Sequence, residues 1–377
     1  MLKVLLAGGG TAGHLNPALA IAEIIKARHP DAEFLFAGTP NGLEAKLIAK
    51  TEYKFAPIKV AGFQRTLTLE NIGRNFKAAA YLLSAGRRAK QIIRDFSPDI
   101  AIGTGGYVSG PVMLKAAQMG IPTIILEPDA FPGMTTKLLS KHVDMVMLTS
   151  EYAAKFLDKS VKYTVTGLPV RKGIMEKSKK EARRELGFDD SMCILSFGGS
   201  LGAGMINETA VDLIAWHSGK KNINHIHGYG GMGRDTFLPA LKAKGIDPSK
   251  NPRLRISEYI DNMDTCMAAA DLVICRSGAN TLSELQTMGR GSILIPSPIV
   301  AGNHQYHNAM VLANAGAAIV IEQKDLTSEL LIQKVNELYE NREKLQKLSE
   351  NAAKLAIRDT PERIYAIIEK FIKKETK

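Results

Sequence analysis

The sequence predicts an α/β protein built from two doubly wound parallel-sheet domains that face each other across a cleft. Its 377 residues are too many for one compact core, so two domains are expected. Apolar strand-like segments alternate with helical ones, which is typical of parallel sheets covered by helices on both faces. The opening pattern of apolar strand, glycine loop and helix begins at Lys3 and starts again at Cys193. This repetition indicates a second domain of the same kind.

The first domain is predicted to span residues 1–165. Its strands and helices follow from the apolar runs and from the glycine-containing or polar segments between them. The predicted strands are Lys3–Ala7, Glu33–Ala37, Lys54–Val60, Ile100–Gly103, Thr123–Glu127, Met145–Leu148 and Tyr163–Thr166. The predicted helices begin at about Pro17 or lie near Leu43–Ala49 and Asn75–Asp95.

The second domain is predicted to span residues 166–354. Its approach lies in the polar stretch Lys177–Asp190, which carries no strand signal. The predicted strands are one that begins at Cys193, Asn224–Gly228, Arg253–Glu258, Leu272–Cys275, Ser292–Pro296 and Ala317–Ile321. The stretch Pro361–Lys377 has the apolar spacing of an amphipathic helix. We therefore expect a C-terminal helix, at about residues 355–377, that packs back on the first domain.

Composition and charge narrow the class of protein before any motif is considered. Hydrophobic residues make up 45% of the chain and charged residues 23%, as in an ordinary globular protein. The net charge of +11 favours an anionic partner, such as nucleic acid, an anionic membrane surface or a phosphorylated substrate. RNP aromatics, zinc-finger spacing and long basic blocks are missing from the sequence, so no nucleic-acid partner is expected.

The cysteines and the apolar runs indicate the compartment. Cys193, Cys266 and Cys275 have no C-x-x-C spacing, and two of them lie in or beside apolar runs, so buried reduced thiols are expected. No run approaches the roughly 20 apolar residues that cross a bilayer. The start, MLKVLLAGGG, has glycines where a signal peptide has its apolar core. The protein is therefore expected to stay in the cytoplasm.

The first glycine loop, AGGGTAGH, raises the question of which ligand it binds. Gly8, Gly10 and Gly13 fit the dinucleotide fingerprint, but the next strand ends in Ala37-Gly38-Thr39, without the acid that holds ribose hydroxyls. A dehydrogenase is therefore disfavoured. The loop still offers an anion free amides and the positive end of a helix dipole. The same dipole favours a neutral ring at His14, which can then accept a proton; the alternative is a capping or packing role.

A second glycine motif, IGTGGYVSGPV, follows the strand Ile100–Gly103. Its glycines permit close approach of the backbone, and the side chains of Tyr107 and Ser109 are suited to hydrogen bonds with a ligand. The motif lies at the carboxyl end of a predicted strand, where open α/β sheets bind their ligands.

The second domain carries three stretches of the same kind. FGGSLGA offers Ser200 and neighbouring amides to a phosphate. In CRSGANTLSEL the first helical amides are those of residues 279–281, and Glu284, one turn further on, is suited to accept two ribose hydroxyls. AGNHQYHNAM places His304 and Gln305 at a helix start, with groups suited to sugar hydroxyls.

His304 and His307 also have the i, i+3 spacing of a pair of metal ligands. No carboxylate lies nearby at a suitable spacing, so we expect neither a metal nor another cofactor.

Five motifs, in this order and spacing, resemble those of the MurG family of peptidoglycan glycosyltransferases, in glycosyltransferase family 28: GGGTAGHLNP, GTGGYVSGPV, GGSLGA, CRSGANTLSE and NHQYHNA. The resemblance runs from residue 3 to about residue 360. It implies the GT-B fold of two Rossmann-like domains and an inverting, metal-independent transfer. The implied donor is UDP-N-acetylglucosamine, and the implied acceptor is the muramyl-pentapeptide on undecaprenyl pyrophosphate (lipid I), which becomes lipid II.

The resemblance also implies roles for particular residues. The residues that match the acceptor side, in the N-terminal domain, are Thr11, Gly13, His14, Tyr107, Glu127 and Asp129, with His14 as the general base. The donor side lies in the C-terminal domain. There, Arg171 and Ser200 match contacts to the phosphates, the backbone of Ile260 a contact to uracil, and Glu284 the carboxylate on the ribose. His304 and Gln305 match contacts to the sugar, and Ala279 and Thr281 match backbone contacts.

The chain departs from the family mainly on the acceptor side. It has Leu126-Glu127-Pro128-Asp129 where the family usually has HEQN, Ala12 where it has glycine, and Leu168 where it has asparagine. UDP-sugar use is therefore better supported than lipid I, and a related enzyme with another lipid-linked acceptor stays open. Two further alternatives are a UDP-sugar epimerase, which needs no acceptor, and a binding protein for UDP-sugar or glycolipid that has no turnover.

The stretch from Gly62 to Lys90 interleaves apolar and basic residues. An amphipathic helix on an ordinary core fits this pattern, and so does a surface that contacts a membrane. A lipid-linked acceptor requires the N-terminal domain to reach the bilayer, where each Lys or Arg near anionic lipid contributes about 1 kcal/mol. We therefore expect peripheral binding to an anionic membrane on its cytoplasmic face, through Arg65, Arg74 and Lys77 among others.

Overall fold

A computed structural model describes residues 1–60, 84–171, 173–174, 176–199 and 201–372. The chain divides into two compact units. Unit 1 comprises Met1–Pro169 with Ile357–Lys377, and unit 2 comprises Val170–Ala356. Each unit contains one parallel β-sheet with helices between successive strands.

Unit 1 contains a seven-stranded sheet in which every neighbouring pair is parallel. Its strands are β1 (Lys3–Gly8), β2 (Glu33–Gly38), β3 (Lys54–Pro57), β4 (Ile100–Gly105), β5 (Thr123–Glu127), β6 (Met145–Leu148) and β7 (Tyr163–Val165). Their order across the sheet is β3-β2-β1-β4-β5-β6-β7. The described helices of this unit are α1 (Ala12–Lys26), α2 (Leu43–Ile48), α3 (residues 84–96), α4 (Ser109–Gln118), α5 (Met134–Leu139), α6 (Glu151–Ala154) and α16 (Thr360–Ile372).

Unit 2 contains a six-stranded parallel sheet of the same design. Its strands, β8 (Met192–Phe197), β9 (Ile223–Gly228), β10 (Leu254–Ser257), β11 (Leu272–Cys275), β12 (Gly291–Leu294) and β13 (Ala318–Val320), have the order β10-β9-β8-β11-β12-β13. Its α-helices are α7 (Lys179–Leu186), α8 (Gly204–His217), α9 (Gly230–Gly233), α10 (Phe237–Ala243), α11 (Met263–Ala269), α12 (Ala279–Met288), α13 (His304–Asn314), α14 (Ser328–Glu340) and α15 (Arg342–Lys354). Short 3-10 helices occupy Pro248–Lys250, Ala301–Asn303 and Gln323–Asp325.

The predicted fold class, two doubly wound parallel sheets, is confirmed. Strands β5 and β8 are buried along their whole length, as expected when helices cover both faces of a parallel sheet. The polar stretch Lys177–Asp190 contains helix α7, which packs on α11 within unit 2. Ser178 and Glu181 form a capping box at its start, and Gly187 ends it in a left-handed conformation.

The C-terminal helix α16 lies in unit 1, where it packs against α1. Its apolar face buries Ile364, Ile367 and Ile368. Near the end of α1, the His29 ring is 2.9 Å from the Tyr365 hydroxyl. The last elements of the chain therefore complete the core of the first unit.

The three cysteines are free and buried, as predicted. Burial raises the pKa of the Cys193 and Cys266 thiols to about 12. No helix among the described residues has the length and apolar character needed to span a membrane.

A buried chain of polar side chains links helix α8 to strands β8 and β9 of unit 2. At one end, Asn207 donates from Nδ2 to the carbonyl oxygen of Tyr229 at 2.9 Å, so its Oδ1 accepts from Nε2 of His227 at 3.3 Å. His227 therefore accepts at Nδ1, from the Ser196 hydroxyl at 2.7 Å. These assignments follow from the amide of Asn207, whose nitrogen donates and whose oxygen accepts.

The chain continues through two more histidines. The Ser196 hydroxyl accepts from Nε2 of His225 at 2.8 Å, and Nδ1 of His225 accepts from Nε2 of His217 at 2.9 Å. Within the described part of the chain, Nδ1 of His217 has no partner. Burial lowers the pKa of His217 to about 4 and of His227 to about 3, so all three rings are neutral and the hydrogen bonds run in one direction.

The neutral His217 ring predicts a pH dependence of stability. Folding lowers the pKa of this ring from 6.5 to about 4. The ring therefore makes its full contribution to the free energy of unfolding above pH 6.5 and loses it as the pH falls toward 4. In His217→Gln the side chain still donates to His225 but does not titrate. Between about pH 6 and 4.5 the wild type should therefore lose about 1.4 kcal/mol of unfolding free energy per pH unit more than His217→Gln. Urea unfolding at several pH values measures both slopes, and equal slopes would contradict a buried neutral His217.

Candidate active site

Unit 1 brings the predicted acceptor loops together at the point where the order of its strands reverses, between β1 and β4. Strands β1 and β4 are neighbours in the middle of the sheet, and the chain builds outward from them on opposite sides. Their register pairs Gly8 with Gly105, so the two glycine loops leave the same edge side by side. Open α/β sheets bind ligands at such a point.

The two loops are packed so closely that glycine is required. A Cβ on Gly105 would lie 2.5 Å from Nδ1 of His14, and φ at Gly105 is +102°. A Cβ on Gly106 would overlap the carbonyl oxygen of Gly9. These glycines therefore make room for neighbouring parts of the protein, in addition to any ligand.

His14 is held in place by two contacts with Thr104. It lies in the first turn of α1, and its Nδ1 is 3.1 Å from the carbonyl oxygen of Thr104. A carbonyl only accepts, so Nδ1 carries the proton and Nε2 carries the lone pair. The Thr104 hydroxyl also donates to the His14 carbonyl oxygen at 2.7 Å. Thr104, which is fully buried, thus fixes both the backbone and the ring of His14.

The other predicted acceptor residues near His14 lie on the same loops. Thr11 precedes α1 in an extended conformation, and its side chain makes no capping hydrogen bond. Thr11 and Gly13 are exposed, and so is Tyr107, which keeps 61% of its surface accessible in the loop after β4. The predicted contacts are therefore accessible from solvent.

Glu127, at the end of β5, binds its own loop. Its carboxylate accepts the N–H groups of Asp129 at 2.9 Å and Gly133 at 3.0 Å. Burial, followed by the charge of the half-buried Asp129, raises the pKa of Glu127. The buried Glu127 shapes the loop from 128 to 133, and Asp129 is the more accessible of the two predicted acceptor residues.

Unit 2 repeats this arrangement at the edge between β8 and β11. The loop after β8 is the predicted phosphate loop, and the loop after β11 leads into α12. The predicted phosphate contact Ser200 lies outside the described residues. Gly202, in the same loop, contacts the backbone of Tyr229, because a Cβ there would overlap the Tyr229 carbonyl oxygen.

Arg171 and Glu284, predicted separately for phosphate and ribose, form a two-point ion pair in the structure. Nε of Arg171 lies 2.5 Å from Oε1 of Glu284, and Nη2 lies 3.2 Å from Oε2. Burial raises the pKa of Glu284, and the charge and hydrogen bonds of Arg171 oppose that rise. The Glu284 side chain is 4% exposed and the Arg171 side chain 47% exposed. Each carboxylate oxygen can accept a second hydrogen bond, and the guanidinium has further N–H groups to offer.

The remaining backbone contacts predicted for the donor lie around the same edge. Helix α12 begins after Gly278 with no side-chain cap, so the amides of Ala279 and Thr281 point out of its first turn. Ile260 packs against the end of β9, where a Cβ on Gly228 would lie 3.0 Å from its Cδ1. Ile260 therefore lies at the end of β9, the strand next to β8, and the predicted phosphate loop follows β8.

Gln305 and His304 begin α13. Oε1 of Gln305 accepts the N–H of Ser297 at 2.9 Å, which leaves the amide nitrogen to donate. Nδ1 of His304 is 3.0 Å from the Ala301 carbonyl oxygen, so its Nε2 carries the lone pair. Within the described ranges, no group of three or more His, Cys, Asp or Glu side chains is placed to hold a metal ion.

Sequence reasoning missed two residues that shape the acceptor loops, Thr104 and Glu44. Thr104 lies between two glycines of GTGGY, a motif whose interpretation rested on its glycines, Tyr107 and Ser109. Glu44 lies six residues beyond the end of β2 and hydrogen-bonds the first glycine loop. The sequence signal that could have identified Glu44 is an acid close to two glycines, Gly38 and Gly42.

Together, two doubly wound units with glycine loops at their switch points, a histidine in the first turn of α1 and an Arg–Glu pair define a two-domain sugar-nucleotide glycosyltransferase of the GT-B type. The family models agree. The Glycosyltransferase family 28 N-terminal domain matches residues 4–148, and the Glycosyltransferase family 28 C-terminal domain matches residues 193–364. The chain therefore belongs to glycosyltransferase family 28, and the family predicted from the five motifs is confirmed.

Individual relatives cover the whole chain. A protein of Acetivibrio thermocellus named UDP-N-acetylglucosamine--N-acetylmuramyl-(pentapeptide) pyrophosphoryl-undecaprenol N-acetylglucosamine transferase is 43% identical over 373 residues, 99% of each chain. The crystal structure of Acinetobacter baumannii MurG has a TM-score of 0.78 and 29% identity, and the match covers 98% of this chain and 100% of that one. A UDP-GlcNAc 2-epimerase from Neisseria meningitidis, bound to UDP-GlcNAc, has a TM-score of 0.64 at 15% identity, with 98% and 100% covered. At 15% identity, the match to the epimerase shows only that the two proteins share a fold.

Proposed function

We infer that this family 28 enzyme transfers N-acetylglucosamine from UDP-N-acetylglucosamine to lipid I and so forms lipid II. Full-length relatives at 40–43% identity carry this activity in their name. The epimerase alternative has only the shared fold in its favour, at 15% identity. Among the structural features, the hydrogen bond from Nδ1 of His14 to Thr104 carries the proposal, because it places the ring proton on Nδ1 and the lone pair on Nε2, the atom proposed to take the proton.

In the proposed mechanism the N-terminal unit binds the acceptor and activates it. Nε2 of His14 removes the proton from the acceptor hydroxyl as that oxygen bonds to the anomeric carbon of the donor sugar. The bond from the anomeric carbon to the UDP oxygen breaks, and UDP leaves with the electron pair. Attack from the face opposite UDP inverts the anomeric configuration. Thr11, Gly13, Tyr107, Glu127 and Asp129 line the acceptor side.

The C-terminal unit binds the donor and stabilises the leaving group. Glu284 accepts the ribose hydroxyls, and Arg171 and Ser200 face the phosphates together with the first amides of α12. These preorganised donors act on the charge that develops on UDP as the glycosidic bond breaks. The backbone of Ile260 contacts uracil, and Ala279 and Thr281 contribute backbone contacts. His304 and Gln305 bind the sugar hydroxyls.

His14→Ala tests the base. We expect kcat to fall by about 10² to 10⁴, because general base catalysis contributes on this scale, while the KM for UDP-N-acetylglucosamine stays close to wild type. His29→Ala is the matched control, since that ring lies just past the other end of α1 and contacts Tyr365. Transfer to a short-chain lipid I analogue gives both constants. Full activity in His14→Ala would reduce His14 to a structural role.

Glu284→Ala tests the ribose contact. Two charge-assisted hydrogen bonds contribute about 1.5–3 kcal/mol each, so the donor KM should rise about tenfold or more while the acceptor KM changes little. The control is Asp189→Ala. Asp189 forms a similar two-point pair with Arg253, at 2.9 and 2.7 Å, just before β8 and thus at the opposite edge of the sheet. A donor KM that rises equally in both variants would contradict a specific ribose contact.

We further propose that the enzyme binds peripherally to the cytoplasmic face of the membrane and has no nucleic-acid partner. The support for membrane binding is the lipid-linked acceptor, the net charge of +11 and the basic and apolar stretch from Gly62 to Lys90. The absence of RNP aromatics, zinc-finger spacing and long basic blocks from the sequence is the argument against a nucleic-acid partner. Of that stretch, residues 62–83 lie outside the described residues. Anionic vesicles should sediment the protein at low salt and less of it at high salt. Changing Arg65, Arg74 and Lys77 to Glu should reduce pelleting; equal pelleting of wild type and variant would remove these residues from the contact.

A further inference from the structure

Glu44 is a buried carboxylate with no role in the mechanism above. It lies in the first turn of α2 and is 1% exposed. Its Oε2 accepts the N–H of Gly10 at 3.1 Å, and its Oε1 accepts the N–H and the hydroxyl of Thr39 at 2.8 and 2.6 Å. Burial opposes its charge, but these hydrogen bonds outweigh the burial and lower the pKa of Glu44 overall. The carboxylate is therefore ionised and satisfied by neutral donors.

The surrounding chain is shaped to admit this carboxylate. A Cβ on Gly9 would lie 2.6 Å from Cδ of Glu44, and a Cβ on Gly42 would lie 2.6 Å from its Oε2. The middle glycine of the GGG motif is thus required by Glu44 as well as by any ligand. Both carboxylate oxygens of Glu44 already accept hydrogen bonds from Gly10 and Thr39, so the carboxylate is directed at the loops of the protein itself.

The contacts of this loop lead to the proposed base. Glu44 holds Gly10, whose φ of +84° turns the loop. The carbonyl oxygen of Gly9 lies against Gly106, and the adjacent Gly105 lies against the ring of His14. The contact between Gly9 and Gly106 is between backbone atoms, so it cannot adjust by rotating a side chain. A shift of the loop at Gly9 and Gly10 therefore reaches the ring of His14.

We propose that Glu44 is a positioning residue of the acceptor side, which holds the first glycine loop against the second and so aligns His14. This inference rests on the proposed function for the role of His14. It also assigns the Gly10 amide to Glu44, so that a bound acceptor would be held by the other groups of the loop. A displacement of a reacting group by about 1 Å costs up to about 10² in rate, which sets the scale of the effect.

The test compares Glu44→Gln with Asp144→Asn. Asp144 accepts the N–H and the hydroxyl of Thr123 at 2.8 and 2.9 Å, which repeats the Thr39 contacts at the opposite edge of the same sheet. In either amide variant one acceptor becomes an NH₂ group. Glu44→Gln should lower kcat about 10- to 100-fold with the donor KM within about twofold of wild type, whereas Asp144→Asn should leave both constants unchanged.

A second pair keeps the test valid if Glu44→Gln does not fold. Thr39→Val and Thr123→Val remove one hydroxyl donor each, from Glu44 and from Asp144, and only Thr39→Val should lower kcat. Wild-type kcat in Glu44→Gln, or in Thr39→Val if that is the variant available, would overturn the proposal. A rise in donor KM as large as the fall in kcat would overturn it too, because the defect would then not be confined to the acceptor side.

The His14→Ala background separates this proposal from the proposed function. If Glu44 acts through His14, adding Glu44→Gln to His14→Ala should lower kcat by less than it does in the wild type. Independent, multiplicative losses would overturn the route through His14. Full activity in His14→Ala alone would instead count against the base assignment, and the comparison of Glu44→Gln with Asp144→Asn would still report on the loop.

Discussion

The parallel pairing of β1 with β4 is the constraint on which the acceptor side depends. It brings two glycine loops to one edge of the sheet, with Gly8 opposite Gly105 and no room for side chains between the loops. The carbonyl of Thr104, at the end of β4, then lies within hydrogen-bond distance of His14. The tautomer of a single histidine is therefore determined by the register of two central strands.

Much of the fold could be predicted from local patterns in the sequence. The strands Thr123–Glu127 and Leu272–Cys275 were predicted to the residue, because each contains a short run of adjacent apolar residues bounded by polar ones. The strand predicted over Lys54–Val60 ends at Pro57, since a period of two does not locate the point at which strand pairing stops. The edge that carries the glycine loops also followed from the rule that parallel sheets bind ligands at the carboxyl ends of their strands.

The contacts within the candidate site could not be predicted in this way. Arg171 and Glu284 are 113 positions apart, and His14 and Thr104 are 90 apart, so periodicity carries no information about either pair. The sequence indicated one ligand group for Arg171 and another for Glu284. The structure adds that each is the other's partner, which couples the residue proposed for the ribose to the residue proposed for the phosphates.

Both units stabilise a glycine loop with buried polar groups. In unit 1 Glu44 holds Gly10, and in unit 2 Asn207 holds the Tyr229 carbonyl, against which Gly202 packs. A loop without side chains has little apolar surface to bury, so hydrophobic packing alone cannot determine its path. Buried hydrogen bonds can determine the path of the loop, because leaving a buried donor or acceptor unpaired costs about 1–3 kcal/mol. The glycines that leave space for a ligand thus also make each loop dependent on a polar partner in the interior.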